Sequence, residues 1–392
     1  MMRVPYLLLA LSVGLCLYAY LGYPAILKLL SLFRPATRPA RALPQWPLIS
    51  ITIPVHNDVR GIAGTLERIL ELDYPVDRLQ VLVVSDASDD GTDEIVSQFA
   101  HRGVELLRLP QRRGKTAAEN AARPRLRGTI IVNTDASVRV DPSAVRRLVA
   151  AFADPTVGVA SGRDVSVARI GSEANAGESG YVGYEMWVRD LETRASGIVG
   201  ASGCLYAIRA DLHREFVPEN LSRDFAAALI ARRRGLRAVS VPEAICFVPR
   251  GASLSQEYRR KVRTMTRGLK TLWCMSEFLN PLRYGVFAWM LFSHKLCRWM
   301  VPWALVVALA AMGALAPGAA WARAGLVVIA GLAGLGGLGW RWLGGTRISR
   351  ALALPAYVMT GNLAALHAWW LALSGAQTAV WEPTRRGLED TA

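Results

Sequence analysis

Cysteine is scarce in this chain and poorly placed to build structure. Among 392 residues there are five, Cys16, Cys204, Cys246, Cys274 and Cys297. Their number is odd, their spacing is wide and no C-x-x-C occurs, so neither a disulfide framework nor a zinc site is indicated. A reducing compartment for the polar part of the chain follows. No repeat of fixed period is visible, and the one low-complexity tract is a glycine run from Gly331 to Gly339. Acidic residues are in deficit, 31 against 46 lysines and arginines, which leaves a formal net charge of +15.

Hydrophobic residues make up 52% of the chain. An apolar excess and a basic excess fit together if the first sits in membrane spans and the second lines their cytoplasmic edge. Nucleic-acid binding is the other reading of a basic chain. Here many arginines flank apolar runs, so lipid is the expected partner and nucleic acid is not. Val4 to Leu27 carries no charge and is long enough to span a bilayer. It ends in Tyr18, Tyr20, Tyr23 and Pro24 rather than a small-residue cleavage site, so it reads as an uncleaved anchor. Lys28, Arg34, Arg38 and Arg41 follow it, against Arg3 alone in front, which places the next domain in the cytoplasm. Met300 to Ala322, Ala324 to Trp340 and part of Ala351 to Trp381 are the other expected spans, about four in all, as in a multi-pass inner-membrane protein. Tyr284 to Ser293 is a short apolar piece bounded by Arg283 and His294-Lys295, expected to lie in the interface. His367 reads as a packed or interfacial histidine. The chain divides into an anchor (1–33), a Pro-rich linker (34–47), a polar domain (48–252), amphipathic and interfacial helices (253–298), a membrane region (299–382) and a tail (383–392).

Within the polar domain, strand and helix patterns alternate. Strands are expected at Leu48 to Val55, Val81 to Val84, Val104 to Leu109, Thr129 to Asn133, Gly158 to Val167 and Gly200 to Ile208, and Val239 to Pro242 closes the region. Helical spacing separates them, at Gly61 to Leu72, from Asp93, at Lys115 to Leu126, Asp141 to Phe152, Tyr181 to Glu192 and Ser222 to Arg234. This alternation predicts a mostly parallel, Rossmann-like α/β sheet. Ser222 takes the cap position of its helix and Asp224 the first turn. From Ser253 to Ser276 an amphipathic helix is expected, with Arg260, Arg263, Arg267 and Lys270 on one face, suited to lipid phosphate or a bound diphosphate.

Ligands in such sheets bind at the carboxyl ends of the strands. Asp86 and Asp135 end two expected strands, Asp224 opens a later helix, and Lys115 starts the helix between the two rim aspartates. Carboxylates there can bond a nucleobase, hold Mg²⁺ or Mn²⁺ against phosphate, or take a proton from an attacking hydroxyl. Asp89 and Asp90 read as turn and cap residues.

Six segments then carry a resemblance: IPVHND (Ile53 to Asp58), VVSDASDDGTDE (Val83 to Glu94), RRGKTAAEN (Arg112 to Asn120), VNTDAS (Val132 to Ser137), SGCLYAIR (Ser202 to Arg209) and SRDF (Ser222 to Phe225). In this order the chain resembles membrane-bound family 2 glycosyltransferases of GT-A fold, in the branch of cellulose and hyaluronan synthase relatives. The resemblance implies a first nucleotide loop at Pro54, Val55 and Asn57, and uracil bound by Asp86. It implies Lys115 near the base or diphosphate, Mg²⁺ or Mn²⁺ on Asp135, and Asp224 as catalytic base. An inverting transfer from a nucleotide sugar, UDP-linked, to a glycan or lipid-linked acceptor follows, in the synthesis of exopolysaccharide or cell-surface glycan.

The chain departs from the pattern in three places. Asp135-Ala136-Ser137 lacks the second carboxylate of the metal motif. Arg223 stands where a Glu precedes the base. KVRTMTRG (Lys261 to Gly268) replaces Q-x-x-R-W, with Met265 in the place of the acceptor-seating Trp, and Arg260, Arg263 and Arg267 are left to hold a diphosphate or lipid-linked acceptor. Two readings compete. A P-loop ATPase is prompted by Gly114-Lys115-Thr116, but Leu109 occupies the position of the first Walker glycine. A non-catalytic scaffold or translocation partner would not be expected to retain Asp86, Asp135 and Asp224 together.

Overall fold

The chain enters as an apolar rod. Helices α1 (Arg3–Leu17) and α2 (Tyr23–Leu32) are joined without a break by a π turn at Tyr18–Gly22. The computed structural model describes residues 3–33, 43, 45–167, 176–249, 254–342 and 350–375. Most of the Pro-rich linker, the segment holding Arg347, the end of the last expected span and the tail lie outside the described residues.

All seven residues of β1 (Ile49–Val55) are buried, and β-branched residues alternate along it, so the segment packs on both faces as a central parallel strand does. It pairs in parallel with β2 (Leu79–Ser85) and β4 (Ile130–Thr134), and β2 pairs in parallel with β3 (Val104–Arg108). The crossovers run through α3 (Ile62–Leu70), α4 (Thr92–Gln98) and α5 (Lys115–Ala122). The second half departs from a parallel sheet. After β5 (Arg139–Val140) and α6 (Ala144–Ala150), β6 (Val157–Val167) leads into α7 (Ala176–Ala195), and β7 (Leu205–Arg209) then runs antiparallel between β4 and β6. Short α8 (Ala210–His213) and α9 (Arg223–Arg233) precede β8 (Arg237–Pro249), which pairs in parallel with β6 and antiparallel with β5. The result is one mixed eight-stranded sheet in the order β3-β2-β1-β4-β7-β6-β8-β5. The strand expected over Gly200 to Ile208 begins only at Leu205, and 200–204 is a loop. Ser202 explains this. Its amide donates to Ser161 Oγ (2.8 Å) and its hydroxyl lies 2.7 Å from each Asp164 oxygen, which takes the segment out of the ladder.

Helix α10 (Leu254–Cys274) is the expected amphipathic helix, and Tyr258 OH meets His367 Nδ1 at 2.9 Å, tying it to the last helix. After α11 (Pro281–Tyr284), α12 (Val286–Leu291), a π turn at Phe292–Cys297 and α13 (Arg298–Leu315) form one continuous 30-residue apolar helix. The piece assigned to the interface is thus the first part of a candidate span. Its boundary misled because His294, and Arg298 one turn beyond, are paired inside the protein. His294 Nε2 meets Glu185 Oε1 at 2.8 Å, His294 Nδ1 meets Glu192 Oε1 at 2.5 Å, and Arg298 Nη1 donates to Glu185 Oε2 at 2.7 Å. Tyr23 OH of the anchor donates to the same Glu192 at 2.5 Å. Burial works against charge on Glu185, but His294 and Arg298 hold its carboxyl well below the usual range. With α14 (Ala320–Trp342), three helices among the described residues are long and apolar enough to cross a membrane: Arg3–Leu32, Val286–Leu315 and Ala320–Leu338. The fourth expected span falls on α15 (Arg350–Leu373), which packs on α10 and α14.

Gly128 leads into β4 with no room for a side chain. A Cβ there would lie 2.4 Å from the Ser50 amide nitrogen. Gly128→Ala should therefore destabilise the domain by about 1–3 kcal/mol through forced backbone displacement, read as a lower melting temperature in detergent. Wild-type stability would contradict the packing.

Candidate active site

The rim is assembled from strand ends. β2 stops at Ser85, and Asp86 turns inward, 1% exposed. Its two oxygens accept the Arg113 and Gly114 amides, each at 2.7 Å. Gly114 sits at φ +93°, a conformation that costs a glycine little. Asp86 therefore clamps the β3–α5 loop. The same amides cannot cradle a nucleotide's phosphates, so the P-loop reading loses its structural basis. At the end of β1, Pro54 and Val55 are buried. Asn57 takes a left-handed φ of 51° and is held by Asp89, its Nδ2 donating at 2.7 Å and its Oδ1 accepting the Asp89 amide at 2.9 Å. Asp90 accepts from Thr92 and from the Val59 amide (3.1 Å), the cap role expected of it.

The β3–α5 turn aims Lys115 at the next strand end. Its Nζ donates to Asp135 Oδ1 at 2.5 Å and to the Gly203 carbonyl at 2.7 Å. Burial alone would lower the lysine pKa, but the carboxylates of Asp135, Glu119 and Asp224 together raise it. Asp224, in the first turn of α9, accepts from Ser222 Oγ at 2.5 Å. Ser222 thus stands at the cap position but gives its hydroxyl to the catalytic candidate, not to the helix amides. Gly203 lies close beneath: a Cβ there would sit 2.9 Å from Asp224 Oδ2.

These groups share one cavity of about 370 Å³. Of the residues expected at the site, it collects Lys115, Asp135, Asp224, Arg260, Arg263 and Arg267. Pro54, Val55, Asn57 and Asp86 do not line it and lie at the neighbouring strand ends, joined to it through the Arg113-Gly114 turn. Arg267 is built into the wall, donating to Thr116 Oγ1 (2.7 Å) and to the carbonyls of Glu219 and Leu221 (2.8 and 2.7 Å).

Sequence reasoning missed several lining residues. Glu119, one turn after Lys115, is 1% exposed, and neither of its oxygens has a hydrogen-bond partner among the described residues. Burial pushes its carboxyl above the usual range, against Lys115 and Arg223. Arg223 is also buried and donates to Asn120 Oδ1 (2.6 Å) and the His213 carbonyl (2.5 Å). The carboxylate absent before Asp224 is thus matched by one on α5, a charge exchange between the two elements. The signal was a lone Glu at i+4 from Lys115 in KTAAENAA. Asp164, Arg189, Lys295 and Trp299 complete the lining from elements distant in sequence.

The residues from Ser50 to Glu215 match the model of Glycosyl transferase family 2. The chain is 33% identical over 121 residues to "Probable glycosyltransferase YdaM" of Bacillus subtilis, covering 28% of this chain and 29% of that protein. It is 23% identical over 283 residues to an N-acetylglucosaminyltransferase of Rhizobium sp., covering 67% and 60%. It therefore spans less than two thirds of the length of either. The mannosyltransferase PcManGT of Pyrobaculum calidifontis, solved with GDP-Man and Mn²⁺, superposes with a TM-score of 0.74 at 24% identity over 94% of this chain and 99% of that one. The fold of the family 2 domain is GT-A.

Two outcomes test this geometry. Gly203→Ala should displace Asp224 and cost activity at least tenfold while leaving the melting temperature within a few degrees; full activity would mean that Asp224 is not so confined. Asp58 gives a pH signature. Burial and the neighbouring Asp90 raise its pKa to about 6. The folded pKa is raised, so the stability from its protonated form is complete below 3.8 and lost as pH rises through about 6. Asp58→Asn should be more stable than wild type above pH 6, by roughly 1 kcal/mol after solvent screening, and equal to it near pH 4. A gain independent of pH would refute the assignment.

Proposed function

We propose that this chain transfers a sugar, with inversion, from a nucleotide-sugar donor to a hydroxyl of a glycan or lipid-linked acceptor at the cytoplasmic face of the inner membrane. The observation that carries this reading is the convergence of Asp224, Lys115, Asp135 and the α10 arginines on one cavity at the rim of a family 2 domain. Asp224 takes the proton of the acceptor hydroxyl as that oxygen attacks the anomeric carbon. Ser222 Oγ fixes the orientation of its carboxylate. Lys115 and the arginines stabilise the negative charge that gathers on the departing diphosphate.

The donor set fits a divalent cation of one kind only. No group of three or more His, Cys, Asp or Glu able to hold a metal occurs among the described residues. Asp135 alone faces the cavity at the β4 end, which suits Mg²⁺ or Mn²⁺ held chiefly by substrate phosphates with one protein carboxylate. Bound there, the cation would offset diphosphate charge. The PcManGT complex, with GDP-Man and Mn²⁺, supports a nucleotide sugar and a metal. A UDP-linked donor rests on the resemblance through Asp86, whose oxygens already accept two amides, so UDP- and GDP-sugars both belong in the assay.

Purified protein should release nucleoside diphosphate from one such sugar with Mn²⁺ or Mg²⁺. Asp224→Asn should lower kcat about 10²- to 10⁴-fold with donor affinity kept, and Asp135→Ala should lose metal-dependent donor binding. Full activity in the first variant, or unaltered metal dependence in the second, would sink the role concerned.

A further inference from the structure

The cavity is not enclosed by the family 2 domain alone. Lys295 and Trp299, four residues apart on the candidate span Val286–Leu315, also line it. The π turn at Phe292–Cys297 sets their direction. Such turns insert a residue, re-aim side chains and recur at functional sites. Here His294 and Arg298 go to the α7 carboxylates, while Lys295 and Trp299 go to the cavity.

Lys295 differs from its neighbours. Lys115 is paired with Asp135, Arg260 with Glu257, and Arg267 with the Thr116 hydroxyl and two carbonyls. Among the described residues, Lys295 has no carboxylate within 4 Å, and its ammonium lies 5.5 Å from the centre of the Phe225 ring. Phe225 follows Asp224 directly, and both line the cavity together with Lys295. Trp299 meets the same ring edge-on, 6.2 Å between centres at 82°. Gly268 makes room for it, since a Cβ there would lie 2.9 Å from the indole. Trp369 Nε1 donates to the Trp299 carbonyl at 2.8 Å and fixes that turn.

An ammonium with no carboxylate within 4 Å among the described residues, on which Glu185 and Glu192 act only from farther off, lines the cavity together with an indole; that pair suits a phosphoryl group attached to a sugar or apolar body. Its helix continues as an apolar rod whose Val306, Val307 and Leu309 are exposed, as lipid-facing side chains are. We propose that the acceptor is a sugar carried on a membrane lipid through a phosphoryl linkage. Lys295 pairs with that linkage, Trp299 packs on the sugar, and the sugar's free hydroxyl faces Asp224. This deepens the reading above and rests on it. In the transfer, the donor's anomeric carbon–phosphate oxygen bond breaks, the bond from acceptor oxygen to that carbon forms, and the proton passes to Asp224. Lys295 keeps its proton and the acceptor's own phosphoryl linkage stays intact.

The test uses full-length protein in detergent with its active donor. Glucose, galactose, mannose and N-acetylglucosamine are each offered as farnesyl diphosphate conjugates, as octyl glycosides and as sugar 1-phosphates. The farnesyl conjugate of one sugar should have a KM at least tenfold below its octyl glycoside. Lys295→Ala should raise the KM of the farnesyl conjugate far more than that of the octyl glycoside and so erase the preference, and Lys295→Arg should restore most of it. Trp299→Phe should raise acceptor KM without altering donor KM. Independently of turnover, farnesyl diphosphate alone should raise the wild-type melting temperature and leave that of Lys295→Ala unmoved. Equal use of octyl glycosides, or an equal effect of Lys295→Ala on every acceptor, overturns the phosphoryl subsite. Sugar 1-phosphates serving as well as the conjugates overturn the lipid part. A wild type inert toward every nucleotide sugar overturns the proposed function itself, and this inference with it.

Discussion

The Lys115–Asp135 ion pair is the contact on which the site depends. At 2.5 Å, with the Gly203 carbonyl as third member, it joins the start of α5, the end of β4 and the loop before β7. Removing one partner of such a sheltered pair leaves a charge without compensation, which costs about 3–5 kcal/mol. The pair also sets a chemical condition. In the proposed function, a cation or a diphosphate reaching Asp135 or Lys115 must compete with the partner already there. Glu119, one turn along α5 and without a hydrogen-bond partner, is a nearby carboxylate toward which the ammonium can turn. Donor binding would then rearrange an existing network, and the wall would be set by folding before any ligand arrives.

A second constraint couples the domain to its candidate membrane helices. Glu185 and Glu192 of α7 bind His294 and Arg298 on one span, and Tyr23 of the anchor reaches Glu192. Charges within an apolar helix are expensive unless paired, and here the pairing orients the helix as it neutralises it. One consequence is that Lys295 and Trp299, on the remaining face of the π turn, become part of the cavity. The cavity therefore belongs to the domain and the membrane region together.

The parallel half of the sheet was legible because its strands are short and apolar on both faces, and because β2 and β4 end at carboxylates. Asp135, Lys115 and Asp224 converge because each sits at an element end, and the α10 arginines reach them along one helix face. The failures have physical causes. β7 was expected to start early because 200–204 is small and apolar, and its removal from the ladder depends on Asp164, forty residues away in sequence. His294 and Lys295 read as a helix boundary, since nothing local shows that Glu185 and Glu192 neutralise the turn. The burial of Glu119 and Arg223 has no local signal, since it follows from the packing around α5 and α9. Trp299 was invisible as a site residue: its place in the cavity requires Gly268, on another helix, to lack a side chain.

The most direct test of the central claim is calorimetric titration of full-length protein with UDP- and GDP-sugars, with and without Mn²⁺. The account predicts that one nucleotide sugar binds, that binding weakens at least tenfold without the metal, and that Asp135→Ala abolishes the difference. Absence of binding by every nucleotide sugar in the presence of metal would contradict it.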